Sequence, residues 1–289
     1  GLSIEADRGR GYRLVDPVQF YDADKLAAAL SVAAAKAIGP ILIEQQIEST
    51  NLACLQAIAK SSVSLSGTLQ LAERQSGGRG RRGKLWVSPP GSNIYCSLVW
   101  RFEAGASALS GLSLVVGLAL STALEKKGFD DIALKWPNDL LWQNRKLAGI
   151  LIEVAGDVTG ACDVVIGFGL NVAMPQSSSQ EIEQPWVDLA TMSPGDPLDK
   201  NEILAAILNE LVDALLAFTQ HGFASFLDRW RARDAFDAAL VRLIMGAHGQ
   251  AGEQLNGIYR GVNPDGSITL DIDGVLRQFS GGELSLRKR

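Results

Sequence analysis

The hydrophobic pattern switches repeatedly between a two-residue and a roughly four-residue period. Residues 1–15 alternate apolar and polar positions around Arg8-Gly9-Arg10-Gly11, which predicts a hairpin. Fifteen residues cannot form a core alone, so this piece either packs on the main body or ends something upstream. An Ala-rich helix is expected over 24–37, closed by Gly39-Pro40. Residues 41–47 read as a strand, and Ser49, Thr50 and Asn51 then offer capping groups for a helix over 52–60. Such a corner is either an ordinary helix cap or a ligand site. Strands are expected over 68–74 and 93–102. In the latter, Tyr95, Ser97, Val99 and Arg101 face one way and Ile94, Cys96, Leu98 and Trp100 the other. A long buried helix follows over 106–127 and stops at Gly128, with Lys126 and Lys127 in its last turn.

Short strands are predicted over 132–136, 140–143 and 146–154, the last two joined by a turn at Asn144-Arg145. The strand over 164–172 carries Gly167 and Gly169, where a ligand or another backbone can approach closely. The connection over 175–197 is long and irregular, as loops with a task often are. Helices are expected over 199–219 and 223–237. From Ala239 onward the pattern becomes short strands over 241–245, 251–262, 267–272 and 275–279, separated by Gly and Asp turns. The result is an α/β body with a small all-β appendage, without repeats or heptads.

Composition narrows the function. A chain of 289 residues with 47% hydrophobic content can bury a full core. Its formal net charge of -5 makes any basic cluster a local feature and argues against a general nucleic-acid surface. Glu5, Asp7, Arg8 and Arg10 interrupt any leader-like apolar run, and the longest apolar stretch, 109–124, is too short to span a bilayer. Cys54, Cys96 and Cys162 lie far apart and outside any CxxC spacing, which fits buried thiols in a reducing cytoplasm. With His221 and His248 as the only histidines, a His-built metal site or a Ser-His-Asp triad has little material, and no resident metal is assigned.

Two clusters carry chemistry. In the first, Gly77, Gly78, Gly80 and Gly83 alternate with Arg79, Arg81, Arg82 and Lys84. Gly78, Gly80 and Gly83 spell GxGxxG, but a dinucleotide fingerprint opens a helix, and this segment runs instead into Trp86-Val87-Ser88-Pro89-Pro90. No GK[ST] ending makes a Walker loop. What remains is a glycine hinge whose arginines can close over phosphates, beside the plainer reading of a solvated basic loop. The second cluster is Lys135-Trp136-Pro137-Asn138-Asp139, followed across a hairpin by Lys146-Leu147-Ala148-Gly149. Alone it could be a turn with solvated lysines. Two cation groups in one body suggest a single anionic site.

Glu48-Ser49-Thr50-Asn51, Gly78 to Gly83 with Trp86 and Ser88-Pro89, Lys135 to Asp139, Arg145 to Leu151, and Gly167-Phe168-Gly169-Leu170-Asn171-Val172 occur in this order. Together they resemble the biotin protein ligases over about residues 24–285. The resemblance implies an α+β fold: a mixed-sheet catalytic domain like the class II synthetases and biotin-lipoate ligases, and a C-terminal SH3-like β-barrel. It divides the chain into a hairpin and linker over 1–23, a catalytic domain over 24–237 and the SH3-like domain over 238–289. Residues 1–14 resemble only the wing of the winged helix-turn-helix of repressor-type members, so specific operator binding by this chain is not expected.

The implied activity has two steps. Biotin and ATP, with Mg2+, give biotinyl-5'-AMP and pyrophosphate; a lysine of the biotin carboxyl carrier protein of acetyl-CoA carboxylase then takes the biotinyl group. Carried over by resemblance, Ser49, Thr50, Asn51, Gln75, Arg79, Gly80, Arg81 and Lys146 contact biotin, with Arg81 and Lys146 catalytic. Arg82, Lys84, Trp86, Lys135, Asn138, Asp139 and Asn171 serve ATP. Leu85 departs from the family, where many members carry a basic residue. A cytoplasmic enzyme is expected, with a homodimer left open and no membrane partner. The alternatives are a lipoate-protein ligase and a regulator whose main role is repression of the biotin operon.

Overall fold

The computed structural model describes residues 4–7, 9, 11–14, 18–156, 160–195, 198–246, 253–281 and 284–288. In chain order the elements begin with β1 (Ile4–Asp7), β2 (Gly11–Leu14), α1 (Ala23–Ala28), α2 (Val32–Ala37), β3 (Ile41–Glu44), α3 (Thr50–Lys60), β4 (Leu69–Ala72) and β5 (Ile94–Phe102). They continue with α4 (Leu112–Lys126), β6 (Ile132–Lys135), β7 (Asp139–Trp142), β8 (Arg145–Gly156), β9 (Cys162–Leu170), α5 (Gln176–Ser179) and α6 (Leu189–Met192). The last are α7 (Lys200–His221), α8 (Leu227–Arg231), β10 (Leu240–Met245), β11 (Gln254–Val262), β12 (Ile268–Ile272), β13 (Val275–Phe279) and β14 (Leu284–Lys288).

A seven-stranded mixed sheet, in the order β3-β4-β5-β9-β8-β7-β6, forms the body. Only β3 and β4 run parallel; the other neighbours are antiparallel. The alternation read in β5 has a physical basis. Val99 packs with Cys54 of α3 and Val165 of β9 on one side, whereas Ile94, Cys96, Leu98 and Trp100 join the main core, to which α4 and α7 also contribute. Burial on both faces explains why β5 and β9 read as nearly continuous apolar runs. The C-terminal sheet, β13-β12-β11-β10-β14, is antiparallel throughout and fits an SH3-like β domain. It is tied to the body through Trp136 Nε1, which donates to the Gly266 carbonyl at 3.0 Å, and Tyr259 Oη, which donates to Asp234 at 2.8 Å.

Several sequence expectations shift. The helix over 24–37 is two helices, because Ser31 N-caps α2 by accepting from the Ala34 amide at 3.2 Å. The helix over 106–127 opens as a separate 3-10 turn at Ala106–Leu109 before Gly111, whose φ of 80° breaks it. The β7–β8 turn falls on Gln143 and Asn144, both at positive φ, one residue earlier than expected. The 223–237 helix ends at Arg231, since residues 233–235 instead exchange backbone hydrogen bonds with Leu134 at the edge of the main sheet. The connection over 175–197 holds the short helices α5 and α6, and β14 was not foreseen. Parts of the N-terminal hairpin, among them Arg8 and Arg10, and the expected strand start at Ala251 lie outside the described residues.

A buried ion pair fastens the start of the body. Lys200, in the first turn of α7, lies 2.5 Å from Glu73, and both side chains are only 1% exposed. Glu73 also accepts from the Tyr21 amide at 2.6 Å, and the Lys200 ammonium lies 3.9 Å from the Tyr21 ring centroid. Burial pulls the Lys200 pKa down, and Glu73 opposes that. Among the described residues no helix is long and apolar enough to cross a membrane.

Candidate active site

One cavity of about 760 Å³ lies against β8 and β9, and every residue assigned to biotin or ATP by resemblance lines it. Its first wall is the N-terminus of α3. Ser49 caps this helix by accepting from the Leu52 amide at 3.4 Å. Gln75 is oriented by Thr50, whose amide and hydroxyl both donate to Gln75 Oε1, at 2.8 and 3.1 Å. That leaves Gln75 Nε2 as the end able to donate. Asn51 is fixed on both sides: Nδ2 donates to the Leu151 carbonyl at 3.2 Å and to Glu153 at 2.8 Å, and Oδ1 lies 2.6 Å from Ser97 Oγ.

Ser97 Oγ also lies 2.8 Å from Thr50 Oγ1. Two hydroxyl protons therefore serve three oxygen contacts: Thr50 with Gln75, Thr50 with Ser97, and Ser97 with Asn51. One contact is short of a proton. The wall is thus an acceptor surface that gains by meeting a ligand with its own N–H groups, because a buried lone pair without a donor is costly. Gly167 makes the arrangement fit, since a Cβ there would stand 2.0 Å from Asn51 Oδ1.

The opposite end is cationic. Asp139 lies 2.7 Å from Lys146 Nζ and 3.4 Å from Lys135 Nζ. Burial pushes the Asp139 pKa up, but the attraction and hydrogen bonds of Lys146 and Lys135 overcome it, so the carboxyl sits below its ordinary value. Lys84 is shifted down by burial first, then by the positive charges of Arg287, Lys146 and Lys135. Asp139, Glu181 and Glu183 line the cavity with a larger number of lysines and arginines, and this surplus of cations is the setting for a polyanionic ligand.

The glycine-arginine loop spans the two ends. Its arms pair through Trp86 N to Gly78 O at 2.8 Å and Gly80 N to Lys84 O at 2.7 Å, with a 3-10 turn, Arg81–Gly83, at the tip. No helix follows, in keeping with the rejected dinucleotide reading. The Trp86 ring enters a slot made by Gly149 and Gly169, which are register partners on β8 and β9. A Cβ at Gly169 would lie 2.5 Å from the indole, and one at Gly149, 2.9 Å. Lys146 Nζ is 5.3 Å from the same ring, and the buried indole Nε1 finds no acceptor among the described residues. The closest approach at these glycines is therefore by protein side chains, one of which still awaits a polar partner.

Asn138 and Asn171 line the cavity too, but their amide groups have structural partners. Asn138 Nδ2 donates to the Ile150 carbonyl at 2.7 Å; Asn171 Nδ2 donates to the carbonyls of Lys146 at 3.3 Å and Val187 at 3.0 Å. They hold β8 and the 185–187 segment in place around Lys146. Sequence reasoning missed Ser97, Glu153, Trp186 and Arg287. Ser97 left a signal, a polar residue at the centre of an apolar strand. Trp186 and Arg287 also line the cavity, from an irregular loop and from the unforeseen strand β14.

Comparison with known proteins agrees with this geometry. The model of the biotin/lipoate A/B protein ligase family matches residues 42–171. The bifunctional ligase/repressor BirA of Escherichia coli is 39% identical over 99% of this chain and 84% of its own length. The biotin--[acetyl-CoA-carboxylase] ligase of Mycobacterium tuberculosis is 32% identical over 83% of this chain and 86% of its own. Among solved structures, the biotin protein ligase from Aquifex aeolicus in complex with biotin and ATP superposes with a TM-score of 0.72. It is 26% identical, over 87% of this chain and 100% of that one. With the cavity, the sheet order and these relatives in agreement, the chain belongs to the biotin protein ligases of the biotin/lipoate A/B protein ligase family.

Proposed function

We propose that this protein activates biotin with ATP to biotinyl-5'-AMP and transfers the biotinyl group to a lysine of a biotin carboxyl carrier protein. The observation that carries this is one cavity with a proton-short acceptor wall at one end and a cation surplus at the other. The ureido ring of biotin brings two N–H groups to Thr50, Ser97 and Asn51, and its carbonyl can accept from Ser49 and Gln75. In the first step a biotin carboxylate oxygen attacks the α-phosphorus and pyrophosphate leaves. Two anions must meet, at a repulsion of about 4 kcal/mol per unit pair at about 4 Å for an effective dielectric of about 20. Lys146, Lys135 and Lys84 offset it, with Arg81 and Arg82 on the loop; Mg2+ enters with ATP as part of that substrate. In the second step the neutral ε-amine of the acceptor lysine attacks the acyl carbonyl, AMP leaves, and the amide forms with loss of a proton.

The dithiolane ring of lipoate has no N–H donor, so it would leave the same wall short of a proton; this favours biotin over lipoate. The carrier is proposed to be the acetyl-CoA carboxylase subunit, in line with the name of the Mycobacterium tuberculosis relative. Mass spectrometry of the protein with ATP and each vitamin is the test. Biotinyl-AMP, followed by a biotinylated carrier lysine, is expected; lipoyl-AMP alone would reverse the assignment.

A further inference from the structure

We infer that Glu153, behind the cavity wall, is a positioning residue that couples the biotin pocket to the glycine-arginine loop. Its carboxylate is divided between two tasks. Oε2 accepts from Asn51 Nδ2 at 2.8 Å, and Oε1 lies 3.9 Å from the Arg79 guanidinium at the start of the loop. The first contact sets the polarity of the pocket. An amide has a donating and an accepting end, and the carboxylate, which only accepts, holds Nδ2 outward and Oδ1 toward Ser97. The Leu151 carbonyl accepts from the same Nδ2 at 3.2 Å but holds that orientation more weakly, so without Glu153 Asn51 turns over more readily and puts a donor against the Ser97 hydroxyl in place of the acceptor that an N–H ligand needs. The second contact restrains the loop from the same carboxylate. Arg79 is 43% and Glu153 27% exposed, so this ion pair is a weak latch. Because one side chain makes both contacts, occupation of the pocket and the position of the loop share a support, and neither contact requires the substrate.

The inference rests on the biotin-ligase reading for its kinetic arm only. Glu153→Gln separates the two tasks: the Gln oxygen still accepts from Asn51, while its amide nitrogen faces Arg79 donor to donor. Glu153→Ala loses both. In adenylate formation, Glu153→Ala is expected to raise the biotin KM about tenfold with a smaller change in kcat, and Glu153→Gln to restore the KM. Both variants should release preformed biotinyl-AMP roughly threefold faster than wild type. Limited trypsin digestion of the ligand-free protein tests the latch without catalysis: cleavage within residues 79–84 should be roughly threefold faster in Glu153→Gln. Wild-type KM and escape rates in both variants, a Gln variant as impaired in KM as the Ala variant, or unchanged loop cleavage would each overturn the proposal. Altered loop cleavage in a protein that makes no biotinyl-AMP would support the latch and refute the proposed function instead.

Discussion

Lys146 is where the chemistry concentrates. Its ammonium sits between Asp139, 2.7 Å away, and the Trp86 ring, with the 185–187 segment bonded to its own backbone. It is pre-positioned, so little reorganisation is needed when negative charge develops on the transferring oxygens. Lys146→Ala is expected to slow adenylate formation about 100-fold, in the range seen when a single charge-stabilising donor is removed. Lys146→Arg should not restore the rate, because a planar fork cannot replace a point charge wedged against an indole. A pre-steady-state measurement of biotinyl-AMP decides the matter, and a wild-type rate in the Ala variant would remove Lys146 from the mechanism.

At the level of elements, the β8–β9 pair works as a template. Gly149 and Gly169 stand opposite each other and admit Trp86; Leu151 and Gly167 stand opposite in the next same-face pair, where Asn51 seats. Gly169→Ala should expel the indole, since its Cβ would come 2.5 Å from Trp86. The expected cost is about 1–3 kcal/mol of stability, with a raised ATP KM, read from denaturant unfolding and initial rates. An unchanged Trp86 fluorescence and ATP KM would show that the slot is not needed. Gly167 and Gly169 were legible in the sequence as points of close approach, but not what approaches them: Asn51 and Trp86 lie far away along the chain, and only the fold brings them in. The clusters at Ser49–Asn51, Arg79–Lys84 and Lys135–Asp139 were legible for another reason. Each is a local run whose composition conflicts with ordinary strand or helix packing. Glu153 escaped notice because a single polar residue in a strand reads as surface alternation until its partner, Asn51 of α3, is known, and that partner also gives the polar position of Ser97 its meaning. β14 escaped because its apolar positions, Leu284 and Leu286, are too few to announce a final strand.

The molecule as a whole is held by buried charges at two junctions, and they respond differently to perturbation. At the first, Lys200→Met leaves Glu73 buried without its cation, and a loss of about 3–5 kcal/mol is expected in chemical unfolding. Replacing Glu73 by Gln in the same protein should recover part of it, because no uncompensated charge then remains. At the second, Asp234 accepts from Tyr259 Oη at 2.8 Å and from the Phe236 amide at 3.0 Å, joining the main sheet to the C-terminal one. Burial pushes its pKa from 3.8 up to about 6, against the two hydrogen bonds, with Asp237 adding a smaller push and Arg231 a smaller pull. The raised value fixes the sign. Below about pH 4 the carboxyl is protonated in both folded and unfolded chains. As pH rises toward 6 the unfolded chain loses its proton first, binds fewer protons than the folded chain, and stability falls; above 6 both are ionised and the full penalty stays. Asp234→Asn cannot ionise, so its stability relative to wild type should improve between pH 4 and pH 8 by on the order of 2 kcal/mol. The constant cost of exchanging a carboxylate acceptor for an amide cancels in that comparison. Urea unfolding of both proteins at the two pH values measures it, and parallel stability curves would mean that Asp234 titrates normally and that the junction with the C-terminal sheet is open to water.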